Sequence, residues 1–155
     1  MAFLSSLDIS GSALTASRLR MDVISENIAN AETTHTDTGG PYRRKMVVYQ
    51  AVDPYQNSNP GNDTFQSKLN NELSASSAAP GGVKVTAIVG DATPFPSVYD
   101  PTNPDADANG YVQKPNVDPI KETMDMMAVT RAYNANISAL DAVKSMASKA
   151  LEIGK

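Results

Sequence analysis

The residues that could bind a metal ion lie in one acidic stretch of the sequence. The run Asp105-x-Asp107-x-Asn109-Gly110 matches the first half of an EF-hand loop, in which oxygen ligands hold calcium. The twelfth position of such a loop carries a bidentate glutamate, but here it is Asn116, and Pro115 lies inside the loop. Because aspartate, asparagine and glycine are also typical turn residues, we expect a turn in this stretch and no bound metal.

Catalytic chemistry has no recognisable set of residues in this chain. His35 is the only histidine and lies in a polar segment before Gly39 and Gly40, so we expect a solvated loop residue. Cysteine is absent, which excludes disulfides, thiolate metal sites and a cysteine nucleophile. The acidic residues are scattered, and no glycine-rich phosphate loop precedes a predicted helix. The sequence therefore predicts a protein that is not an enzyme and has no cofactor and no small-molecule substrate.

The charge balance argues against nucleic acid as a partner. The 13 basic and 17 acidic residues give a net charge of −4, whereas a phosphate backbone is bound by basic surface. The cluster Arg43-Arg44-Lys45 is expected at a solvated strand edge or in a charge contact between subunits. No stretch approaches the roughly 18 apolar residues of a membrane span. The start of the sequence lacks the basic residues and the apolar run of a cleaved signal peptide.

A long helix is predicted at the beginning of the chain, where proline is absent from Phe3 to about Asn30. Ser5 or Ser6 is the expected N-cap, and Asp8 completes a capping-box pattern. Asn30 is the expected terminator, because asparagine tolerates left-handed backbone geometry. This helix would be about 40 Å long.

A second long helix is predicted at the end of the chain. Asp118 provides a side-chain cap and Pro119 fits the first helical position. No proline or glycine follows until Gly154, so we expect the helix to extend to Ile153. At about 50 Å, this helix is long for a chain of 155 residues.

The middle of the chain predicts short strands and loops. Tyr42–Val52 is rich in β-branched and aromatic residues, and Val83–Val89 places alternate apolar residues on one face, so both are expected to be strands. Asp53–Gly82 reads as a loop rich in Asn, Ser, Pro and Gly, within which Phe65, Leu69 and Leu73 allow a short helix. Four prolines in Pro94–Pro104 predict an extended or turn-like segment with little room for strand pairing.

Apolar residues recur every seven positions in both predicted helices, as they do along a coiled-coil seam. Further stripes lie on other sides of each helix, and a helix that is apolar nearly all round is normally buried on several sides. These helices therefore favour packing against neighbouring copies, although periodicity alone also fits a simple hairpin with an alanine-rich surface. Asn27 and Asn136 are candidates for fixing register, with surface positions as the plain alternative. The predicted seam and assembly residues are Leu7, Leu14, Met21, Ile24, Ile28, Met126, Val129, Tyr133, Leu140 and Val143.

Together these elements predict a mainly α fold with a small β-rich middle. The N- and C-terminal helices are expected to form an antiparallel coiled-coil pair, with a short-strand and loop insertion between them. We divide the chain into a terminal helical domain, 1–33 plus 113–155, and a small middle domain, 34–112, which includes a variable loop at 54–80.

Several motifs resemble those of the axial-protein family of the bacterial flagellum, and within it the proteins of the proximal rod. The pattern Ser-x-Asn-x-Ala-Asn near the end of the first helix resembles the signature shared by rod and hook proteins. The run Asn103–Val117 is similar to the segment that precedes the C-terminal helix in the proximal rod proteins. The loop 54–80 departs from the family pattern. The residues that carry the motifs are Ser25, Asn27, Ala29, Asn30, Asn103, Pro104, Gly110, Tyr111, Val112, Pro115, Asn116 and Val117.

The resemblance implies a non-enzymatic structural subunit of the basal-body rod. Such a subunit would polymerise into a helical tube with copies of itself and with other rod proteins. The resemblance further implies export by the flagellar type III apparatus without a cleaved signal, and a location in the periplasmic rod. A soluble coiled-coil adaptor or an export chaperone of a secretion system is the alternative, since it would also contain long amphipathic helices.

Overall fold

The computed structural model of the chain describes residues 2–37, 39–52 and 81–153. Along the chain, helix α1 (Ala2–Ala29) precedes strands β1 (Lys45–Val52), β2 (Gly82–Gly90), β3 (Ser97–Tyr99) and β4 (Tyr111–Gln113). Helix α2 (Pro119–Ile153) follows. Two long helices with a small β region between them confirm the predicted fold class at this level. The predicted loop 54–80 and the short helix around Phe65, Leu69 and Leu73 lie outside the described residues.

Helix α1 contains 28 residues, and its two caps differ from the sequence expectation. It starts at Ala2, so Ser5 and Ser6 lie inside the helix and the predicted N-cap is wrong. The helix ends at Ala29, as predicted within one residue, but Asn30 does not adopt the left-handed conformation. Its side-chain amide instead donates to the carbonyl of Glu26 at 2.9 Å, which supplies a partner for a carbonyl of the last turn.

Helix α2 contains 35 residues and begins as predicted. The Asp118 carboxylate accepts hydrogen bonds from the backbone amides of Ile120 at 3.0 Å and Lys121 at 3.4 Å. Pro119 occupies the first helical position, where its missing N–H leaves no bond unmade. These contacts confirm the cap that the Asp-Pro sequence predicts.

Strands β1 and β2 form a two-stranded sheet. Asp91 N donates to Arg44 O at 2.8 Å and Thr86 Oγ1 donates to Val48 O at 3.3 Å, so the two segments run in opposite directions. Both predicted strands are confirmed, with β1 beginning three residues later than Tyr42. The alternating face of β2 is largely exposed, since Val85 alone of its four predicted members is half-buried.

Strands β3 and β4 form a second two-stranded sheet, an antiparallel pair in which Val98 lies opposite Val112. The expectation that Pro94–Pro104 leaves little room for strand pairing is therefore wrong for Ser97–Tyr99. The prolines flank Ser97–Tyr99 and none falls within it, so all three residues can pair. The chain returns through a turn in which Gly110 has a φ of 78°, a conformation that favours glycine.

The contacts divide the chain into two compact units. Unit 1 contains residues 1–16, 49–84 and 134–155, and unit 2 contains residues 17–48 and 85–133. In unit 1, Ser12 Oγ accepts a hydrogen bond from Val83 N at 3.1 Å, and a β-carbon at Gly82 would lie 2.6 Å from that oxygen. The close approach of α1 to the start of β2 therefore favours glycine at position 82, since a larger residue would displace the Ser12 hydroxyl. In unit 2, the buried apolar residues are Val23, Ile24, Tyr42, Val112 and Val129.

Candidate functional site

A buried asparagine lies at the centre of unit 2. Asn27 is 1% exposed, and its side-chain amide makes four hydrogen bonds. Its Nδ2 donates to Lys45 O at 2.9 Å and to Glu122 Oε2 at 3.1 Å. Its Oδ1 accepts from Lys45 N at 2.9 Å and from the Tyr42 hydroxyl at 3.0 Å. Both donors and both acceptor sites of the amide are therefore used, which offsets the free energy of burying it.

A buried carboxylate lies next to this asparagine. Glu122, on the first turn of α2, is 1% exposed. Its Oε1 accepts from Arg44 Nε and lies next to Arg44 Nη2, both at 2.6 Å. The same guanidinium lies 3.6 Å from Asp125 and 3.7 Å from Asp91. A charge this deeply buried is stable only when it is paired and hydrogen-bonded, so Arg44 and Asn27 are what allow Glu122 to occupy the interior.

Asn116 joins the segment before α2 to the same cluster. Its Oδ1 accepts from Arg44 N at 2.8 Å, and its Nδ2 donates to Thr93 O at 3.2 Å. Within the described residues, every buried side-chain nitrogen or oxygen has a hydrogen-bond partner. We call the set Asn27, Tyr42, Arg44, Asn116 and Glu122 the polar network. It connects α1, the start of β1 and the start of α2.

Two ionisable groups, one in the network and one beside it, have shifted pKa values. Burial raises the pKa of Tyr42 to about 12, with the carboxylates of Glu26 and Glu122 adding to the effect. The neutral hydroxyl is thereby favoured as a donor to Asn27. Hydrogen bonds from Thr93 lower the pKa of Asp91 below its usual value, and the charge of Arg44 contributes.

The acidic stretch that resembles half of an EF-hand loop has a structural role. Asp105 Oδ2 accepts a hydrogen bond from Thr34 Oγ1 at 2.7 Å, which ties the turn before β4 to the segment after α1. Gly110 N donates to Asp107 O at 2.8 Å, and Asp107 N donates to Tyr111 O at 2.9 Å. Across the described part of the chain, no three His, Cys, Asp or Glu side chains are grouped so that they could hold a metal ion.

The predicted seam of α2 is the shielded side of that helix. Val129, on this side, is 5% exposed. The buried and half-buried residues form one stripe along the helix, and all the other residues from Pro119 to Glu152 are exposed. The chain itself thus covers one narrow stripe of the helix, and the role of these residues in assembly stays a prediction. The buried and half-buried residues are Glu122, Asp125, Met126, Val129, Tyr133, Asn136, Leu140, Val143 and Ala147.

The predicted seam of α1 is covered less uniformly. Leu7, Leu14 and Met21 are half-buried and Ile24 is 4% exposed, but Ile28 is 37% exposed. Asn27, the neighbour of Ile28, faces the interior instead.

The family-motif residues have different environments. Asn27 and Asn116 belong to the polar network, and Val112 and Pro115 are buried in the same unit. Half-buried positions are Asn30, Asn103, Gly110 and Val117, whereas Ser25, Ala29, Pro104 and Tyr111 are exposed.

Sequence reasoning did not identify Tyr42, Arg44 and Glu122 as parts of one site. One signal was available for Glu122, because it lies four positions before Met126 on the heptad stripe, where an apolar residue is expected. Arg44 and Tyr42 carried no comparable signal, since their partners are distant in sequence.

Many large apolar side chains of α2 are uncovered in the single chain. On the first three turns Ile120 is 73% exposed, Met124 54% and Met127 50%. Farther along, Met146 is 63% exposed and Leu151 76%. The described helices do not include one that is long and apolar enough to cross a membrane.

Comparison with known proteins defines the class first. Residues 7–34 match the family described as flagella basal body rod protein. Residues 108–153 match the C-terminal family of flagellar basal body rod FlgEFG proteins. Both end regions of the chain thus match flagellar rod proteins, and the resemblance inferred from the sequence motifs is confirmed.

Full-length relatives then define the family within this class. The flagellar basal-body rod protein FlgC of Bacillus subtilis is 52% identical over 97% of both chains. The protein of the same name from Escherichia coli O157:H7 is 42% identical over all of both chains. That from Borreliella burgdorferi is 39% identical over 99% of this chain and 98% of its own. The chain belongs to the FlgC family of flagellar basal-body rod proteins, which are structural and not enzymes.

Proposed function

We propose that this structural rod subunit polymerises through its terminal helices, 1–33 and 113–155, into a helical tube. Its neighbours are copies of itself and other flagellar rod proteins. The tube transmits torque and encloses the export channel, and the middle part, 34–112, packs outside the helices. Contacts of the head-to-tail kind, with a rotation that does not close, produce such a tube instead of a ring.

The observation that carries this proposal is the uncovered apolar surface of α2. Ile120, Met124 and Met127 are each at least half exposed, and Met146 and Leu151 are more than 60% exposed. Covering one such side chain contributes about 1–2 kcal/mol. Five of them on one helix therefore provide a large driving force for packing against neighbouring subunits. Methionine side chains also adapt to neighbours of different shape.

We further propose that the terminal helices pair as an antiparallel coiled coil. Two contacts in unit 2 support this arrangement. Asn27 contacts Glu122, and Met21 Sδ lies 3.9 Å from Thr130 Oγ1. The residue that comes earlier in α1 therefore contacts the residue that comes later in α2, as in an antiparallel pair. The seam residues on both helices would then be shared between this pairing and the contacts with neighbours.

Export and location complete the proposal. The subunit would reach the periplasmic rod through the flagellar type III export apparatus without a cleaved signal peptide. The isolated monomer would have mobile helix ends, because the surfaces that order them are supplied by neighbouring subunits. The alternative, a soluble coiled-coil adaptor or export chaperone, is not favoured by the rod proteins to which the chain is similar.

A pair of double variants tests whether the exposed methionines are assembly contacts. Because Met124 and Met127 are half exposed, Met124→Asp with Met127→Asp should leave the chain folded. Tagged copies of this variant should be missing from isolated basal bodies when imaged by electron microscopy. The matched control, Met124→Leu with Met127→Leu, keeps the apolar surface and should enter the rod. Incorporation of the aspartate variant at the parent level would contradict the proposal, and a cytosolic location of the parent would favour the adaptor.

A further inference from the structure

The buried carboxylate of Glu122 occupies a heptad position of α2, where the coiled-coil pattern calls for an apolar residue. We infer that Glu122 is a specificity-determining residue, which sets the register of α2 against α1 through Asn27 and Arg44. The inference rests on the proposed antiparallel pairing of α1 and α2, but all the atoms involved belong to one chain, so it does not rest on the proposed polymerisation.

The apolar residues near the start of the seam define the register only weakly. A shift of α2 by seven residues moves the helix about 10 Å along its axis. Tyr133 then takes the place of Met126, and Leu140 takes the place of Tyr133. These two places keep a large apolar side chain, whereas Asn136 takes the place of Val129 and Ala147 takes the place of Leu140. The apolar seam therefore distinguishes the two registers only in part.

The polar network strengthens this distinction. In the observed register, Glu122 Oε2 accepts from Asn27 at 3.1 Å and Oε1 accepts from Arg44 at 2.6 Å. A seven-residue shift would bring Val129 to this place, and valine offers no acceptor to either donor. Asn27 would lose a partner for its amide, and the Glu122 charge would lose both of its partners. A buried polar group that is satisfied in only one alignment selects that alignment, as a buried asparagine does in coiled coils.

The chain offers a direct readout of register, because it contains no cysteine. The pair Met21→Cys and Thr130→Cys can be cross-linked in the observed register, since Met21 Sδ and Thr130 Oγ1 lie 3.9 Å apart. Cysteines at Met21 and Ile137 report the shifted register, because position 137 is seven residues farther along α2. Each pair is treated with a short bifunctional thiol reagent at low protein concentration, and the cross-linked monomer is quantified by mass spectrometry.

The variants compare loss of the network with loss of a peripheral charge. In the parent background, the 21–130 product should exceed the 21–137 product by at least about tenfold. The triple variant Asn27→Leu, Arg44→Met, Glu122→Leu replaces the three residues that set the register by apolar groups, and it should fold but form a much larger share of the 21–137 product. The matched control is Asp125→Asn, which weakens an ion pair at a half-exposed position and should keep the parent ratio.

Three results would overturn the inference. The first is a triple variant that folds and still forms the 21–130 product alone, because the register would then be set by the connection to β4. The second is a triple variant that does not fold, since the network would then supply stability and not register. The third is an Asp125→Asn variant that mixes the registers as much as the triple variant does.

Discussion

The hydroxyl of Tyr42 donates a hydrogen bond to Oδ1 of Asn27 across 3.0 Å, in the interior of unit 2. Both residues are buried, with Tyr42 8% exposed and Asn27 1% exposed. The bond joins α1 to the segment that enters β1, and it fills the second acceptor site of an amide that also holds Lys45 N. The hydrogen bond between these two side chains thus connects α1 to the segment that enters β1.

Removing this hydroxyl should destabilise the chain moderately. Tyr42→Phe keeps the buried ring but removes the donor to Asn27, whose Oδ1 still accepts from Lys45 N. We expect a loss of about 1 kcal/mol in the free energy of unfolding, measured by urea denaturation. Tyr99→Phe is the matched control, because Tyr99 is 64% exposed and should change stability little. Equal effects of the two substitutions would show that the Tyr42–Asn27 bond contributes nothing.

The raised pKa of Tyr42 predicts a loss of stability in alkaline solution. The pKa is about 12 in the folded chain, against a usual value of about 10 for an unfolded one. The folded state therefore binds this proton more tightly, and its contribution is complete below the unfolded pKa. As pH rises from about 10 through about 12, the contribution is progressively lost. We would measure the melting temperature of the parent and of Tyr42→Phe across this pH range. The melting temperature of the variant should depend less on pH.

Arg44 is expected to be the most sensitive position of the network. Arg44→Met leaves the carboxylate of Glu122, which is 1% exposed, without its cationic partner. We expect this to reduce the free energy of unfolding by about 3 kcal/mol, because a buried charge is left uncompensated. Arg44→Lys keeps a positive charge but loses the paired contacts of Nε and Nη2 with Glu122, and should cost about half as much. Denaturant titration of both variants measures the two losses in the free energy of unfolding. Equal losses would mean that the positive charge at position 44 does not contribute.

Much of the fold follows from local sequence signals. Pro119 after Asp118 sets the start of α2, and the seven-residue repeat identifies its shielded side, from Met126 to Val143. These features are local, so one sequence is enough to find them. The expected cap at Ser5 or Ser6 is wrong because serine also occurs within helices, and α1 already starts at Ala2. Proline near β3 obscured a strand of three residues.

The polar network could not be predicted in the same way. Asn27 and Glu122 are 95 residues apart in the sequence, and Arg44 is 78 residues from Glu122. No local pattern specifies which distant donor meets which acceptor, because pairing depends on how the helices and β1 pack. The sequence did contain one signal, the charged residue Glu122 on an apolar stripe. The structure explains it, because Asn27 and Arg44 from other segments are its partners.

Two glycines with nearly the same backbone angle allow strain to be separated from steric crowding. Gly39 has a φ of 82° and Gly110 a φ of 78°. A β-carbon at Gly39 would meet nothing within 4 Å, whereas one at Gly110 would lie 2.9 Å from the Tyr99 ring. Gly39→Ala should therefore cost about 1 kcal/mol for backbone strain alone. Gly110→Ala should cost at least about 2 kcal/mol, since it adds a clash within the β3–β4 pair.

Thermal unfolding of the two glycine variants provides the comparison. A larger decrease in melting temperature for Gly110→Ala is the expected result. The near-ultraviolet signal of Tyr99 and Tyr111, whose rings meet edge to face at 5.3 Å, should change in the Gly110 variant only. Equal decreases with an unchanged aromatic signal would show that the ring moves aside without cost.

Oxidation of methionine offers a test of which surfaces become covered when the rod assembles. Met124, Met127 and Met146 are at least half exposed in the single chain, whereas Met21 and Met126 are half-buried. Dilute hydrogen peroxide should therefore convert the first three to sulfoxide faster in the isolated chain, as measured by peptide mass spectrometry. In purified basal bodies, the proposed packing of α2 against neighbouring subunits should slow the same three sites several-fold relative to the isolated chain. Because each methionine is compared with itself, differences in intrinsic reactivity cancel. Unchanged rates at all three positions would mean that this side of α2 faces solvent in the rod, and the driving force assigned to it would have to come from another surface.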